Sequence, residues 1–447
     1  MGRTPTPPVL LSRLLVNLAG LLAVFAACPA APAAGSGDAT QAAPPAPSLS
    51  VPQDWPSAQE LLRLPPWLAV AVDYTAEPII NPLGGSASQS GWIGQTAVAL
   101  QLSTGLTRST EQWRELDHWS LHTAVNHYSG NAYTSEAIGA LFPLQQIAYP
   151  PGTLLSEFSL HRSAGNGLLQ LKAGLLPLNP SFITAPAFNA YVHSAFNNTL
   201  NISVPALPLS PYAALGGVAM LHPSAELSLG YGWFDLSSTA PVARWLGSIA
   251  SWQGSGSAQL LQLSWVPGGQ AAAAASLPGC RTGGKVMRRS STCEQPVLVQ
   301  NQLPSRWINL GGYSLGAAGG GIYGSATVSS GLPMGLGDRL WVGAAWSGGE
   351  AGSINPTFVA GGLLVQGVLP HRPLDLLILG GGHAALQPGV VSSWPSNHEA
   401  MLELGYQWQL NSSLALQPTL QWIFNPSAGP QPLAGILAAS LQLSLSF

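Results

Sequence analysis

The last eleven residues alternate between two chemistries. Leu437, Ala439, Leu441, Leu443, Leu445 and Phe447 occupy one parity, and Ala438, Ser440, Gln442, Ser444 and Ser446 the other. A period of two is the signature of a strand with one apolar face. The same alternation runs through Leu402 to Leu410, Leu414 to Trp422, Glu226 to Trp233 and Leu169 to Leu175. Segments of this kind lie near 67–75, 92–103, 118–128, 155–162, 168–176, 211–221, 225–235, 258–266, 306–315, 318–328, 338–346, 357–369, 374–383, 399–410, 413–424 and 434–447, about 16 in all. The face opposite the apolar one carries Gln, Ser, Thr, Gly and Ala instead of charge. Asp, Glu, Lys and Arg make up 7% of the 447 residues, against roughly 25% in ordinary soluble domains. A water-soluble sandwich has no reason to keep charge out of its strands. A bilayer does, because a lipid-facing Lys or Arg near the midplane costs about 2–4 kcal/mol, and an open sheet edge there leaves its backbone groups unpaired. The pattern therefore predicts an all-β fold, a closed transmembrane antiparallel barrel.

The N-terminus predicts export. Residues 1–33 read as a signal peptide: basic Arg3 and Arg13, an apolar stretch from Leu14 to Ala27, and small residues at Ala31-Pro32-Ala33. Phe25-Ala26-Ala27-Cys28 offers a looser alternative, lipidation at Cys28. Residues 34–66, rich in Ala, Pro, Ser and Gln, read as a flexible segment with one short helix around Gln59-Glu60-Leu61-Leu62-Arg63, and 67–447 as the barrel domain. Beyond the signal, no apolar run reaches the roughly 18 residues of a helical span. Cys280 and Cys293 bracket a basic, Gly/Ser-rich connection. In an oxidising compartment a disulfide between them is expected, worth about 3 kcal/mol in the chain-entropy model, with two unpaired thiols as the alternative. A net charge of −3 without a Lys/Arg stripe argues against nucleic acid as a partner. Tryptophans near strand ends (Trp67, Trp92, Trp119, Trp233, Trp265, Trp307, Trp346, Trp408, Trp422) suit the membrane–water boundary.

Several segments resemble the carbohydrate-selective porin family, the OprB-like porins. Glu399 to Leu410, followed by Leu416-Gln417-Pro418-Thr419-Leu420-Gln421-Trp422-Ile423-Phe424-Asn425-Pro426, is similar to that family's penultimate hairpin, and Arg372-Pro373-Leu374-Asp375 to its Arg-Pro-x-Asp turn. Leu171-Lys172-Ala173-Gly174 with Phe182, then Ala195-Phe196-Asn197, Ala214-Leu215-Gly216 and Gly232-Trp233-Phe234-Asp235, follow the family's central order. The terminal Phe447 resembles the end signature read by the assembly machinery of outer-membrane barrels. The resemblance implies a bacterial outer-membrane porin passing small sugars or other small hydrophilic solutes, with membrane lipid around it, no cofactor, no metal and a homotrimeric assembly.

Parity nominates the lumen face. Glu157, Ser159 and His161 share it on one strand, Gln170 and Lys172 on the next, and Glu226, Glu399, Glu403, Gln407 and Gln409 on others. Glu157 and Lys172, opposite in sign on neighbouring strands, fit a constriction that hydrogen-bonds sugar hydroxyls; they fit equally a solvated pair that only stabilises the wall. The stretch from Phe182 to Pro208, with Tyr191, His193, Asn197 and Asn198, is too long for a tight turn and is the candidate narrowing. Two other classes compete. One is a structural or adhesive barrel with a plugged lumen. The other is a barrel-borne esterase, since Gly312-Tyr313-Ser314-Leu315-Gly316 matches a nucleophile elbow with Asp375 and His398 following in order. An elbow must lead into a helix, whereas here it leads into Ala317-Ala318-Gly319-Gly320-Gly321. Gly319-x-Gly321-x-x-Gly324 lacks the helix a dinucleotide site needs. His118 and His122, on one strand face, stand about 13 Å apart at roughly 3.3 Å per residue, too far to share a metal.

Overall fold

The computed structural model describes residues 55–447 except 66, 105–117, 132–137, 166, 197–206, 239–255, 268–305, 317–318, 331–334, 336, 349–355, 387–396, 412 and 428–431. The signal segment, Cys28, Cys280 and Cys293 lie outside the described residues, as do Asn197 and Asn198. A single helical turn, α1 (Ala58–Leu61), opens on a capping box in which Ser57 and Glu60 exchange side-chain and backbone hydrogen bonds.

Sixteen strands then follow. They are β1 (Leu68–Leu83), β2 (Ser90–Ser103), β3 (His118–Asn131), β4 (Gly152–Ala164), β5 (Leu169–Leu176), β6 (Ala214–Leu221), β7 (Leu227–Asp235) and β8 (Ser257–Trp265), then β9 (Arg306–Ser314), β10 (Gly320–Val328), β11 (Gly337–Ser347), β12 (Thr357–Gln366), β13 (Leu376–Ala385), β14 (His398–Gln409), β15 (Leu414–Phe424) and β16 (Ile436–Ser446). Each pairs antiparallel with its sequence neighbours, and β16 returns to β1 to close the barrel. Phe447 extends that seam: its N–H donates to Val72 O and its carbonyl accepts from Val72 N–H. Closure leaves no sheet edge, as a bilayer requires. No helix among the described residues is long and apolar enough to cross a membrane.

The alternation becomes an outside and an inside. Leu100, Leu160, Leu261, Leu310, Leu404 and Leu441 are exposed on the outer wall, while their sequence neighbours Gln101, Ser159, Gln262, Asn309, Glu403 and Gln442 turn inward. Exposed tryptophans ring both ends. Trp67, Trp119, Trp265 and Trp408 stand at one mouth and Trp92, Trp233 and Trp422 at the other, the two girdles expected at the lipid interfaces. Trp307 departs from that expectation: it sits on the inward parity of β9 and packs against the internal core.

Candidate functional site: the lumen and its inserted segments

A sixteen-stranded barrel encloses more space than its own side chains fill. Here two connections from one mouth occupy part of it, residues 138–151 between β3 and β4 and residues 177–196 and 207–213 between β5 and β6. Ile138, Phe142, Leu144, Leu178, Phe182, Phe188, Tyr191 and Phe196 are buried and form one apolar core with inward-facing Tyr323, Trp341, Phe358 and Met401. The wall makes room with glycines. A Cβ at Gly232 would lie 2.6 Å from the Phe182 ring, and one at Gly380 2.4 Å from the Tyr191 ring. Tyr191 is then fixed on both sides: its hydroxyl donates to Leu379 O (2.8 Å) and accepts from Trp341 Nε1 (2.7 Å).

Carboxylates on the wall hold the inserted backbone. Glu403 on β14 accepts from the N–H groups of Val192 (2.8 Å) and His193 (2.6 Å). Glu399, two pleat repeats away on the same face, accepts from Leu141 N–H (2.8 Å) and Ser427 N–H (2.9 Å). Glu77 on β1 accepts from Ile147 N–H (3.2 Å) and from the Gln442 amide. Neutral amides complete the attachment, with Asn309 donating to Thr184 O, Gln417 to Ala190 O and Gln421 to Leu144 O. A buried carboxylate accepting several N–H groups is a charge-assisted anchor.

The lumen-facing polar residues that stay partly exposed cluster on β1–β5: Asp73, Gln95, Gln101, His118, His122, Glu157, His161, Gln170 and Lys172. A bulge shapes this face, because Ala124 on β3 pairs with Glu157 while the next residue, Val125, pairs with Leu155. Ser156 is the extra residue, and Glu157 is thereby aimed inward beside it. Ser159 Oγ donates to Glu157 Oε1 (2.7 Å), and His161 Nε2 lies 3.3 Å from the same oxygen. Across the β3–β4 pair the His122 and His161 rings stack, with centroids 3.8 Å apart. Lys172, opposite His161 in the β4–β5 register, donates to Ser181 Oγ (3.3 Å) at the base of the inserted segment. Acid, base, imidazole and amide thus stand side by side on one flank of the lumen, facing a largely apolar filling on the other.

A family model described as the carbohydrate-selective porin OprB family matches residues 95–447. The chain belongs to that family. It is an outer-membrane β-barrel porin for the passive passage of carbohydrate. Among solved structures it is similar to Pseudomonas putida OprB at high pH (15% identity, 85% of this chain and 94% of that chain covered, TM-score 0.63). It is also similar to the same protein at low pH (14%, 89% and 100%, 0.52) and to Salmonella typhi OmpF in complex with daunomycin (7%, 85% and 97%, 0.51). At such identities these likenesses speak for the fold. No curated relative matches by sequence.

Within this OprB-family barrel the nominated residues divide. Glu157, His161 and Lys172 lie together on the half-exposed flank. Glu399 and Glu403 have the expected inward parity but are 0% and 2% exposed; the inserted segments cover them, so they anchor backbone and do not line an open path. Glu226 is exposed in the turn ahead of β7, at a mouth and not on the strand wall. Sequence reasoning missed Glu77 as an anchor, although it shares the inward parity of Ile79 and Asn81. It also missed the pairing of His122 with His161, which depends on strand register. The esterase triad does not assemble. β9 and β13 run the same way, so Ser314 at the end of one and Asp375 before the start of the other lie at opposite mouths. Asp375 instead receives both ends of the Arg372 fork at 2.8 Å and the Tyr406 hydroxyl at 3.0 Å.

Proposed function

We propose that small neutral carbohydrates cross this porin along the β1–β5 flank of the lumen, between that wall and the inserted residues 177–196. The observation that carries the reading is the asymmetry of the lining. Partly exposed polar side chains gather on β1–β5, while the inward faces of β7–β15 are covered by the inserted segments among the described residues. Glu157 and Lys172 oppose each other in sign and Asp73 leaves only a small acidic excess on the flank, and the amides of Gln95, Gln101 and Gln170 offer both donors and acceptors to sugar hydroxyls. Glu157, His161 and Lys172 are the solute-contacting residues of this reading. Glu226 stands at the mouth that also holds the start of β1 and the end of β16.

The reading makes the protein a passive filter and not an enzyme, with small hydrophilic solutes as its partners and a homotrimer as its assembly. Liposome swelling tests it. Vesicles carrying the purified porin should swell faster in neutral sugars than in anions or cations of equal size, with rates falling steeply as sugars lengthen. Equal rates for ions and sugars would sink sugar selectivity. Electrically silent, non-swelling insertion would instead favour the plugged structural barrel, for which the filled β7–β15 side speaks.

A further inference from the structure

His122, Glu157 and His161 converge on one point of the lumen wall, with their candidate donor atoms all within 4.8 Å of one another. They come from two strands. Register sets His122 opposite Ser159 and His161 opposite Ser120, so the imidazoles are diagonal neighbours, and the bulge at Ser156 adds Glu157. Among the described residues no other trio of His, Cys, Asp and Glu comes so close. We propose that this cluster binds one divalent transition-metal ion of the zinc class, held by the two imidazoles and the carboxylate.

Donor chemistry supports the assignment. Imidazole with carboxylate suits zinc, nickel, copper and cobalt, whereas magnesium and calcium prefer all-oxygen shells. Bonds of about 2.0–2.1 Å in a tetrahedron set neighbouring donors about 3.3 Å apart, and the His161 Nε2 to Glu157 Oε1 separation is 3.3 Å. His122 needs the larger adjustment. Its ring is within 17° of parallel to that of His161, so a rotation about its ring bond must converge the two nitrogens.

The surroundings allow that movement and supply an outer shell. Ser120 Oγ lies 2.8 Å from His122 Nε2, and Ser159 Oγ 2.9 Å from His161 Nε2; both hydroxyls can turn aside to the carboxylate or to water. Gly174, paired with Ser159, carries no side chain into the space, and a Cβ there would lie 2.8 Å from Ser159 Cα. The main opposing force is Lys172 across from His161. Its ammonium repels a cation, though its bond to Ser181 draws it toward the inserted segment. Three protein ligands leave a fourth position facing the lumen, open to water or to a solute oxygen. The effect of the ion on transport, unlike the site itself, rests on the β1–β5 route proposed above.

Cobalt titration of the full-length porin in detergent tests the site without reference to transport. One Co²⁺ per chain is expected, with the intense visible absorption of a low-coordinate site. His122→Ala, His161→Ala and Glu157→Gln should each weaken binding at least tenfold. Lys172→Gln should tighten it severalfold, a gain that a misfolded chain cannot produce. His383 and His398, a second stacked pair with centroids 5.1 Å apart, serve as the control, and their double alanine variant should bind as the parent does. Equal uptake by the parent and the His122→Ala/His161→Ala variant overturns the proposal, as does uptake lost only with His383 and His398. In planar bilayers, micromolar Zn²⁺ should lower conductance reversibly in the parent alone. Cobalt binding without a conductance response would uphold the site and remove it from the solute route.

Discussion

Glu403 illustrates how a buried carboxylate can serve structure in a pore. Its two oxygens receive two consecutive backbone N–H groups of the inserted segment, and the Gln421 amide stands at 3.3 Å. Glu403→Leu would strand those N–H groups in a buried setting at about 1–3 kcal/mol each. We expect a lower unfolding midpoint on heated gels, together with larger and noisier single-channel conductance as residues 190–196 loosen; unchanged conductance would show that the segment is held without this anchor. His193 adds a pH dependence. Burial pushes its imidazole down to about 3, while in the unfolded chain it titrates near 6.5. The unfolded chain therefore binds the extra proton between those values, so this residue's contribution is whole above about pH 6.5 and declines as pH falls toward about 3, by at most about 1.4 kcal/mol per unit. His193→Asn should flatten stability against pH between 7.5 and 5, and an unaltered slope would assign the acid sensitivity elsewhere.

At the scale of the strand, parity was readable and company was not. The alternation from Leu437 to Phe447 reads directly as β16, and every segment with that period became a strand. Glu399, Glu403 and Glu157 all face inward as their spacing requires. Which of them meets water is decided mainly by chain 200 or more residues away in sequence, because Leu141 caps Glu399, with Ser427 beside it, and residues 192–193 cap Glu403. Nothing local announces it. The His122–His161 stack is hidden for a related reason: it depends on a one-residue bulge at Ser156, and a shift of one position would turn His161 to the lipid. The Phe182–Pro208 stretch, by contrast, betrayed itself by length, and its described part does lie inside the barrel. The β4–β5 pair is where charge can be tested. Lys172→Glu places a second carboxylate near Glu157, and the cation-to-anion permeability ratio from reversal potentials should rise severalfold; an unmoved ratio takes Lys172 out of the ion path.

The whole barrel is sorted by solvent. Its outer wall meets lipid with leucines between two tryptophan girdles, so a charge there is penalised by depth. Leu261, mid-strand on β8 and outward, is a suitable probe. Leu261→Arg should cost about 2–4 kcal/mol, seen as a lower denaturant midpoint in lipid vesicles, and a neutral result would contradict its placement against acyl chains. Inside, aromatic packing on one flank and wet polar residues on the other divide the cross-section. Strand number therefore sets the girth of this molecule without setting its bore. The bore is what the inserted residues 138–151, 177–196 and 207–213 leave vacant, and trimming or lengthening those stretches could retune the size cutoff across a wide range while every strand of the cylinder stayed as it is.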